Sequence, residues 1–523
     1  MNDIERYFTM RNWLLGSTSV ALLAVVPQAG WSLSPQEAWD HWKTQGDRFG
    51  LTVSAETETP AGATLTLEGL KYVGEWGFVQ AEYNGGTFTL SEEGDSVSVS
   101  YPADGTITIK AAPPGESAFE ATLNLSYPGA TTLLSQEGDK LIDVSRFPGF
   151  TIAIGEVRID DKPFDITGEY AMSNLEYSQN IATSGDPVYE SDVSISDLAI
   201  NYQMQIPEAK VTMKSAAQAS NVTAVTTAAL GALLTELEKD MSAYDDAAMM
   251  DMIGRVLDSG FRIDSKSHYE SYTVSDETTD ENGTFSNTFT IREGDADVTV
   301  DAGGMAYDVT SGSLDGALVI PGLPLPELAF AASAMEIAFD FPFTSGEEGA
   351  PYSWKLALDS LTMGEPIWSL FDPGAVLPRD PASLVVSQSG QLRWISNLFS
   401  AETVGARTPP VEPLSANLDE LKLAMLGAEL TGTGAFTFDQ VTKKLFSNGV
   451  PQPEGKAEFR LTGGNALLDK LVQAGLLPQD QFMMTRMMIG MFAVPGEGDD
   501  VLTSEIEVDA DGKVLINGAP VPF

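Results

Sequence analysis

A chain of 523 residues with 43% hydrophobic content can bury a sizeable core and has room for roughly two to four domains. Its 29 Lys+Arg against 75 Asp+Glu give a formal charge of -46, so the molecule repels phosphate backbones and anionic lipid head groups; this excludes nucleic acid as a partner. Cysteine is absent and the two histidines are His41 and His268, which excludes thiolate catalysis, disulfide scaffolding, zinc fingers and iron–sulfur ligation.

Arg11, an apolar run from Trp13 to Val26, Pro27 and the small-residue pattern Gly30-Trp31-Ser32 read as a secretory signal over residues 1–32, cut before Leu33. Asp3 and Glu5 suit an export leader poorly, which makes Met10 the alternative start. A retained anchor is the rival reading, but about 14 apolar residues fall short of the roughly 20 that cross a bilayer. The expectation is a periplasmic protein with no integral membrane span once the leader is removed.

The segment 33–225 opens with Ser34-Pro35-Gln36-Glu37, a capping box with proline at the first helical position, followed by Ala38, Trp39, Trp42 and Phe49 at helical spacing. This helix reads first as a lid packed on the core, and second as a ligand-contacting helix. His41 reads as its polar edge. Period-two runs follow, among them Thr64–Leu67, Thr87–Leu90, Val97–Tyr101, Thr106–Ile109, Ala121–Leu125, Thr151–Ile154 and Val193–Ile195, which predict half-buried antiparallel strands. Asn84-Gly85-Gly86, Ala103-Asp104-Gly105 and Glu137-Gly138-Asp139 supply hairpin chemistry between them.

From Thr226 the spacing turns helical through Leu230, Leu233, Leu234 and Leu237, and a second helix runs from about Ser242 to Gly260; residues 226–260 therefore predict an inserted helical hairpin. Strands resume in 261–408, with Met335, Ile337, Phe339, Phe341 and Phe343 on one face and a further strand at Trp354, Leu356, Leu358 and Leu361. Residues 409–523 predict three strands, a helix from Asn465 to Ala474, another from Pro478 to Phe492, and a terminal hairpin turned by Asp509-Ala510-Asp511-Gly512. The fold class is mainly β (α+β): extended, curved antiparallel sheets in a meander, with the inserted hairpin and a C-terminal helix pair.

Leu377-Pro378-Arg379-Asp380-Pro381-Ala382-Ser383-Leu384-Val385-Val386, the helix pair Leu467–Pro478, the run Met487–Met491 and the closing Gly512–Gly518 resemble domain of unknown function 2125, a family of alphaproteobacterial envelope proteins. The resemblance spans the chain loosely, with its most specific motifs in roughly the last 150 residues. It implies an envelope location, no established activity and no catalytic residues to carry over. The leader ending Gly30-Trp31-Ser32 departs from the cleaner Ala-x-Ala ending of the pattern.

Chemistry-bearing motifs are sparse. Gly312-Ser313-Leu314-Asp315-Gly316 has the letters of a nucleophile elbow in the wrong order. His268, among Ser265, Ser267, Tyr269 and Glu270, reads as an exposed histidine on a serine-rich strand before it reads as part of a triad. Asp509–Gly512 lacks the bidentate glutamate of a calcium loop, and the acidic loop Asp276–Glu281 reads as solvated. No metal or cofactor is expected.

Phe482–Phe492 carries methionine five times in eleven residues. That composition suits a buried helix first and, because methionine adapts to irregular apolar ligands, a binding surface second. Trp39, Trp42, Met483, Met484, Met487, Met488 and Met491 are the candidate apolar-ligand contacts. The sequence thus points to a non-catalytic exported envelope protein that binds or carries an apolar small molecule or lipid in a β-sheet groove. The alternative is a periplasmic structural protein with a solid core, no ligand and an envelope protein partner.

Overall fold

The computed structural model describes residues 33–113, 115, 117–182, 188–233, 236, 245–323, 325, 327–400, 403, 410–438 and 451–521. The expected leader, residues 1–32, lies outside them. The chain forms two units, Met1–Ala243 with Val274–Ser286, and Tyr244–Thr273 with Asn287–Phe523. Both are built mainly of antiparallel strands, as the alternation predicts.

In the first unit, helix α1 (Pro35–Arg48) starts where the sequence places it. Ser34 Oγ accepts from the Glu37 amide while Glu37 Oε2 accepts from the Ser34 amide at 2.9 Å. Ten strands follow: β1 (Leu51–Ser54), β2 (Thr57–Ala61), β3 (Thr64–Glu68), β4 (Lys71–Trp76), β5 (Val79–Gly85), β6 (Thr87–Glu93), β7 (Ser96–Ser100), β8 (Asp104–Ala111), β9 (Phe119–Ser126) and β10 (Thr131–Glu137).

These strands do not pair in simple succession. β1, β4, β5, β8 and β9 form one arm, and β2, β3, β6, β7 and β10 form the other. The expected hairpins at Asn84–Gly86 and Ala103–Gly105 are therefore crossings between arms. Glu137–Lys140 is the tight hairpin foreseen. Both arms end on β11 (Lys140–Ile159), where β10 pairs with residues 140–146 and β9 with residues 151–159.

Helix α1 fills the space that the arms enclose. Trp39, Trp42, Leu65, Leu67, Phe88, Leu90, Val97 and Val99 form one buried cluster, with Tyr72 and Tyr83 packed against it. The approach of α1 to β1 requires Gly46, since a Cβ there would meet Val53 Cγ2 at 2.2 Å.

Beyond β11 and the short β12 (Lys162–Pro163), the chain becomes a true meander of β13 (Ile166–Ala182), β14 (Val188–Ile206) and β15 (Val211–Ala229). A line of interrupted register crosses it at Pro148, Asn174, Ser196 and Asn221, level with the point where the arms divide. Asn174 (φ 48°) and Asn221 (φ 47°) take the left-handed conformation that asparagine tolerates best among side-chain-bearing residues. Such breaks bend a strand without ending it.

β15 continues to Ala229, so the helical segment expected from Thr226 begins later: Val222, Thr223, Val225, Thr226 and Thr227 favour extended backbone. Leu233 and Glu236 are helical, and the remainder of that first expected helix lies outside the described residues.

The second unit begins with α2 (Asp246–Asp258), capped by Asp245, whose side chain accepts from the Ala248 amide at 2.8 Å. The strands are β16 (Arg262–Asp280), β17 (Gly283–Asp301), β18 (Gly304–Ser311), β19 (Leu314–Val319), β20 (Leu328–Ala332), β21 (Ala334–Pro342) and β22 (Ala350–Met363). The tips of β16 and β17 count with the first unit. After α3 (Glu365–Phe371) come β23 (Ala382–Trp394), β24 (Val411–Met425), β25 (Ala428–Phe438) and β26 (Pro453–Thr462). The pair α4 (Gly464–Gln473) and α5 (Gln479–Phe492) precedes β27 (Val494–Pro495), β28 (Val501–Val508), β29 (Val514–Ile516) and β30 (Ala519–Pro520).

Pairing runs β17, β18, β21, β22, β23, β24, β25, β26, β28. A second crease lies across it at Glu293, Gly312, Ser333 and Ser360, with Glu293 (φ 53°) and Ser360 (φ 54°) left-handed. Asp359 secures it, its carboxylate accepting from Ser383 Oγ at 2.8 Å and Ser333 Oγ at 3.1 Å.

Candidate apolar binding site

Directly paired residues of antiparallel strands project from the same face, so register identifies the faces of the second unit's sheet. One row reads Val309, Ile337, Leu356, Val386, Leu421 across β18 to β24. The next reads Met335, Leu358, Leu384, Leu423, Leu430, Leu461, Leu502 across β21 to β28. Tyr307, Phe339 and Trp354 form a third. One register line of the opposite face reads Thr310, Glu336, Ala357, Val385, Lys422, Thr431, Arg460, Thr503, polar or charged at six of its eight positions. At about 4.8 Å per strand spacing, the apolar face extends roughly 34 Å across the eight strands from β18 to β28.

This face is open. Ile337 keeps 39% of its surface exposed, and Phe341, Trp354, Leu356 and Leu423 each keep 37%. Among the described residues, the three clusters of buried apolar side chains all belong to the first unit.

Helices α4 and α5 flank the apolar side. Asp500 holds the start of α4, accepting from the amides of Asn465 at 3.1 Å and Ala466 at 2.9 Å. The end of α5 is fixed by the Phe492 carbonyl, which accepts from Ser504 Oγ at 2.6 Å and Asn517 Nδ2 at 3.0 Å. Ser504 pairs with Phe459, and Phe459 with Gly432, which stands opposite Leu421; its side chain therefore points to the apolar side.

Phe482 is the buried anchor of α5, while Met483, Met484, Met487, Met488 and Met491 are 48–67% exposed. Composition suggests a buried helix for this stretch; the structure puts its methionines on the surface. At 100° per residue they occupy, with Phe492, one uncharged half of the helix between residues 483 and 492.

Trp39 and Trp42 lie elsewhere, in the core of the first unit. They are 0% and 4% exposed, with ring centroids 6.1 Å apart and edge to face. No surface is left on them for a ligand, and α1 is packed as a core element. His41 is also buried, not the polar edge expected: burial lowers its pKa to about 4, against the raising influence of Glu37 and Asp40. Its Nε2 and both polar atoms of Gln45 have no protein partner.

A second buried polar group, Asp143, ends a hydrogen-bond chain from Tyr101 through Thr132 and Ser145, with links of 2.7, 2.7 and 2.8 Å. Burial raises Asp143 to about 6, partly offset by the Ser145 hydroxyl. The same burial pushes the Tyr101 phenol upward.

The other residues singled out in the sequence make local contacts. His268 Nδ1 meets Asp295 Oδ1 at 2.8 Å on an exposed strand. The expected acidic loop is strand up to Asp280, the end of β16, before a tight turn into β17: Glu277 pairs with Lys214 at 2.7 Å and Glu281 with Lys210 at 3.3 Å, while Asp280 accepts from the Asn282 amide. Asp509 accepts from the amides of Asp511 and Lys513, each at 2.9 Å, closing the terminal hairpin turn.

In the segment around Leu377–Val386, Asp372 is buried and accepts from Arg379 Nη1 at 2.6 Å and from the amides of Val376 and Leu377. Burial alone would raise its pKa; these donors hold it below the ordinary carboxylate value. Arg379 also stacks 4.2 Å above the Trp368 ring.

The sheet face was not assigned as a site from sequence, although alternation in 335–343 and 354–361 marks its apolar residues. No helix of the described residues is long and apolar enough to cross a membrane. No curated protein and no solved structure matches the chain. A family model described as "Uncharacterized protein conserved in bacteria" matches residues 256–522, half of the sequence, which takes in every strand of the sheet described above. The chain belongs to that family, domain of unknown function 2125.

Proposed function

We propose that this chain is a non-catalytic, exported envelope protein that holds the apolar part of a neutral lipid on the open sheet face of its second unit. The observation that carries this reading is the row Val309, Ile337, Leu356, Val386, Leu421, apolar across five strands and left partly exposed. Contiguous exposed apolar surface of this extent marks a site that something apolar covers. The charge of -46 disfavours strongly anionic lipids, so the cargo is neutral or zwitterionic.

Native mass spectrometry of protein purified from its own envelope tests the proposal. Bound lipid is the expected result, and its loss in Ile337→Asp with Leu356→Asp assigns it to the sheet. Lipid-free protein that also takes up no lipid from mixed micelles overturns it.

The filled core around Trp39 and Leu90 favours a second reading, in which the chain is a structural protein of the periplasm without ligand. Recovery of a defined envelope partner with no lipid bound would establish that alternative.

A further inference from the structure

We infer that the exposed methionine half of α5 is a docking surface for a neutral bilayer, placed to pass lipid to the adjoining sheet face. The inference rests on the proposed lipid reading for what is transferred; docking itself is a separate property with its own readout.

Three features of the molecule carry it. The arc from Met483 to Phe492 exposes between 47% and 67% of each of its methionines and of Phe492; no charged residue interrupts it within these ten positions, and Asp480 borders it one turn earlier. In a chain of net charge -46, an uncharged patch of this kind avoids both anionic surfaces and a second copy of the chain, while a zwitterionic interface matches it. Finally, the Ser504 bond to the Phe492 carbonyl puts the C-terminal end of α5 on the same side of the sheet as the open apolar face. Methionine suits such a surface because its unbranched, polarizable side chain adapts to disordered acyl chains.

The absence of cysteine makes the experiment simple: Met487→Cys gives a unique thiol for an environment-sensitive fluorophore. With phosphatidylcholine vesicles, the full chain is expected to float with the lipid, and the label to shift to shorter wavelength. Met487→Asp with Met491→Asp should cut the vesicle partition coefficient about tenfold or more. These positions are exposed, so thermal unfolding should be unchanged, and any contribution of the amino-terminal segment is common to both proteins.

Ile337→Asp with Leu356→Asp should leave docking intact and abolish carried lipid. Docking lost with lipid still carried, or lipid lost with docking retained, thus separates the two proposals. Flotation equal in parent and methionine variants, no spectral shift, stronger binding to vesicles rich in phosphatidylglycerol, or binding to an envelope protein without binding to vesicles would each overturn the docking proposal.

Discussion

Ile337 stands directly opposite Leu356 on neighbouring strands, and both side chains remain more than a third exposed. An apolar cross-strand pair stabilises a sheet by roughly 0.2–1 kcal/mol, and further gain requires a covering layer. Leu356→Asp should therefore cost only about 1 kcal/mol or less in urea unfolding of the lipid-free protein. An unpaired charge buried beneath a second layer would cost on the order of 4 kcal/mol or more. A loss of that size would show that the face is covered in solution and that the open-sheet reading is wrong.

The first unit should respond in the opposite way. Leu90 is fully buried between α1 and the arms, so Leu90→Ala is expected to cost about 2–5 kcal/mol through lost burial and the cavity left behind. Met487→Ala, on the exposed arc of α5, should stay within about 0.5 kcal/mol. Comparable losses for both would contradict the contrast between a filled core and an open surface.

These two positions also show what was legible in the sequence. Leu90 lies in a clean alternation, Thr87 to Leu90, whose buried phase follows from period two alone. Met487 lies in a run whose helical character is plain, but composition cannot tell a helix wrapped by protein from one left bare, because that depends on residues far away in the chain. Asn84-Gly85-Gly86 is similar. Its turn chemistry serves a hairpin or a crossing equally well, and the outcome is decided when Tyr83 pairs with Ile107 and Phe88 with Leu67. The length of β13 to β15 was hidden for a different reason. Asn174 and Asn221 break the alternation, and a left-handed residue within a continuing strand looks in sequence like a strand end.

The turn joining α3 to β23 depends on one carboxylate. Asp372 satisfies two amides and the Arg379 guanidinium, so Asp372→Ala should free the Val376 and Leu377 amides to exchange with solvent and lower the unfolding temperature of the second unit. Arg379→Lys should give a smaller loss, since lysine retains the charge but neither the planar fork nor the stacking on Trp368. Hydrogen exchange at those two amides is the direct check. Unchanged protection in Asp372→Ala would remove the carboxylate from its assigned role.

The first unit holds two buried titrating groups whose pH dependences oppose each other. His41 has its folded pKa lowered by burial to about 4 against 6.5 for the free side chain, so the stability it contributes is present above pH 6.5 and is lost as pH falls toward 4. Asp143 is raised by burial from 3.8 to about 6, so its contribution is full below 3.8 and is lost as pH rises through 6. Each shift corresponds to about 3 kcal/mol, and between pH 7 and pH 4.5 the two largely cancel. His41→Phe should leave the Asp143 effect alone, making the unit about 2–3 kcal/mol more stable at pH 4.5 than at pH 7 relative to the parent slope. Asp143→Asn should leave the His41 effect alone and tilt the slope by a similar amount the other way. Urea midpoints at the two pH values for the parent and both variants decide the matter. Equal slopes in all three would mean that neither group is titrating from the buried positions found here.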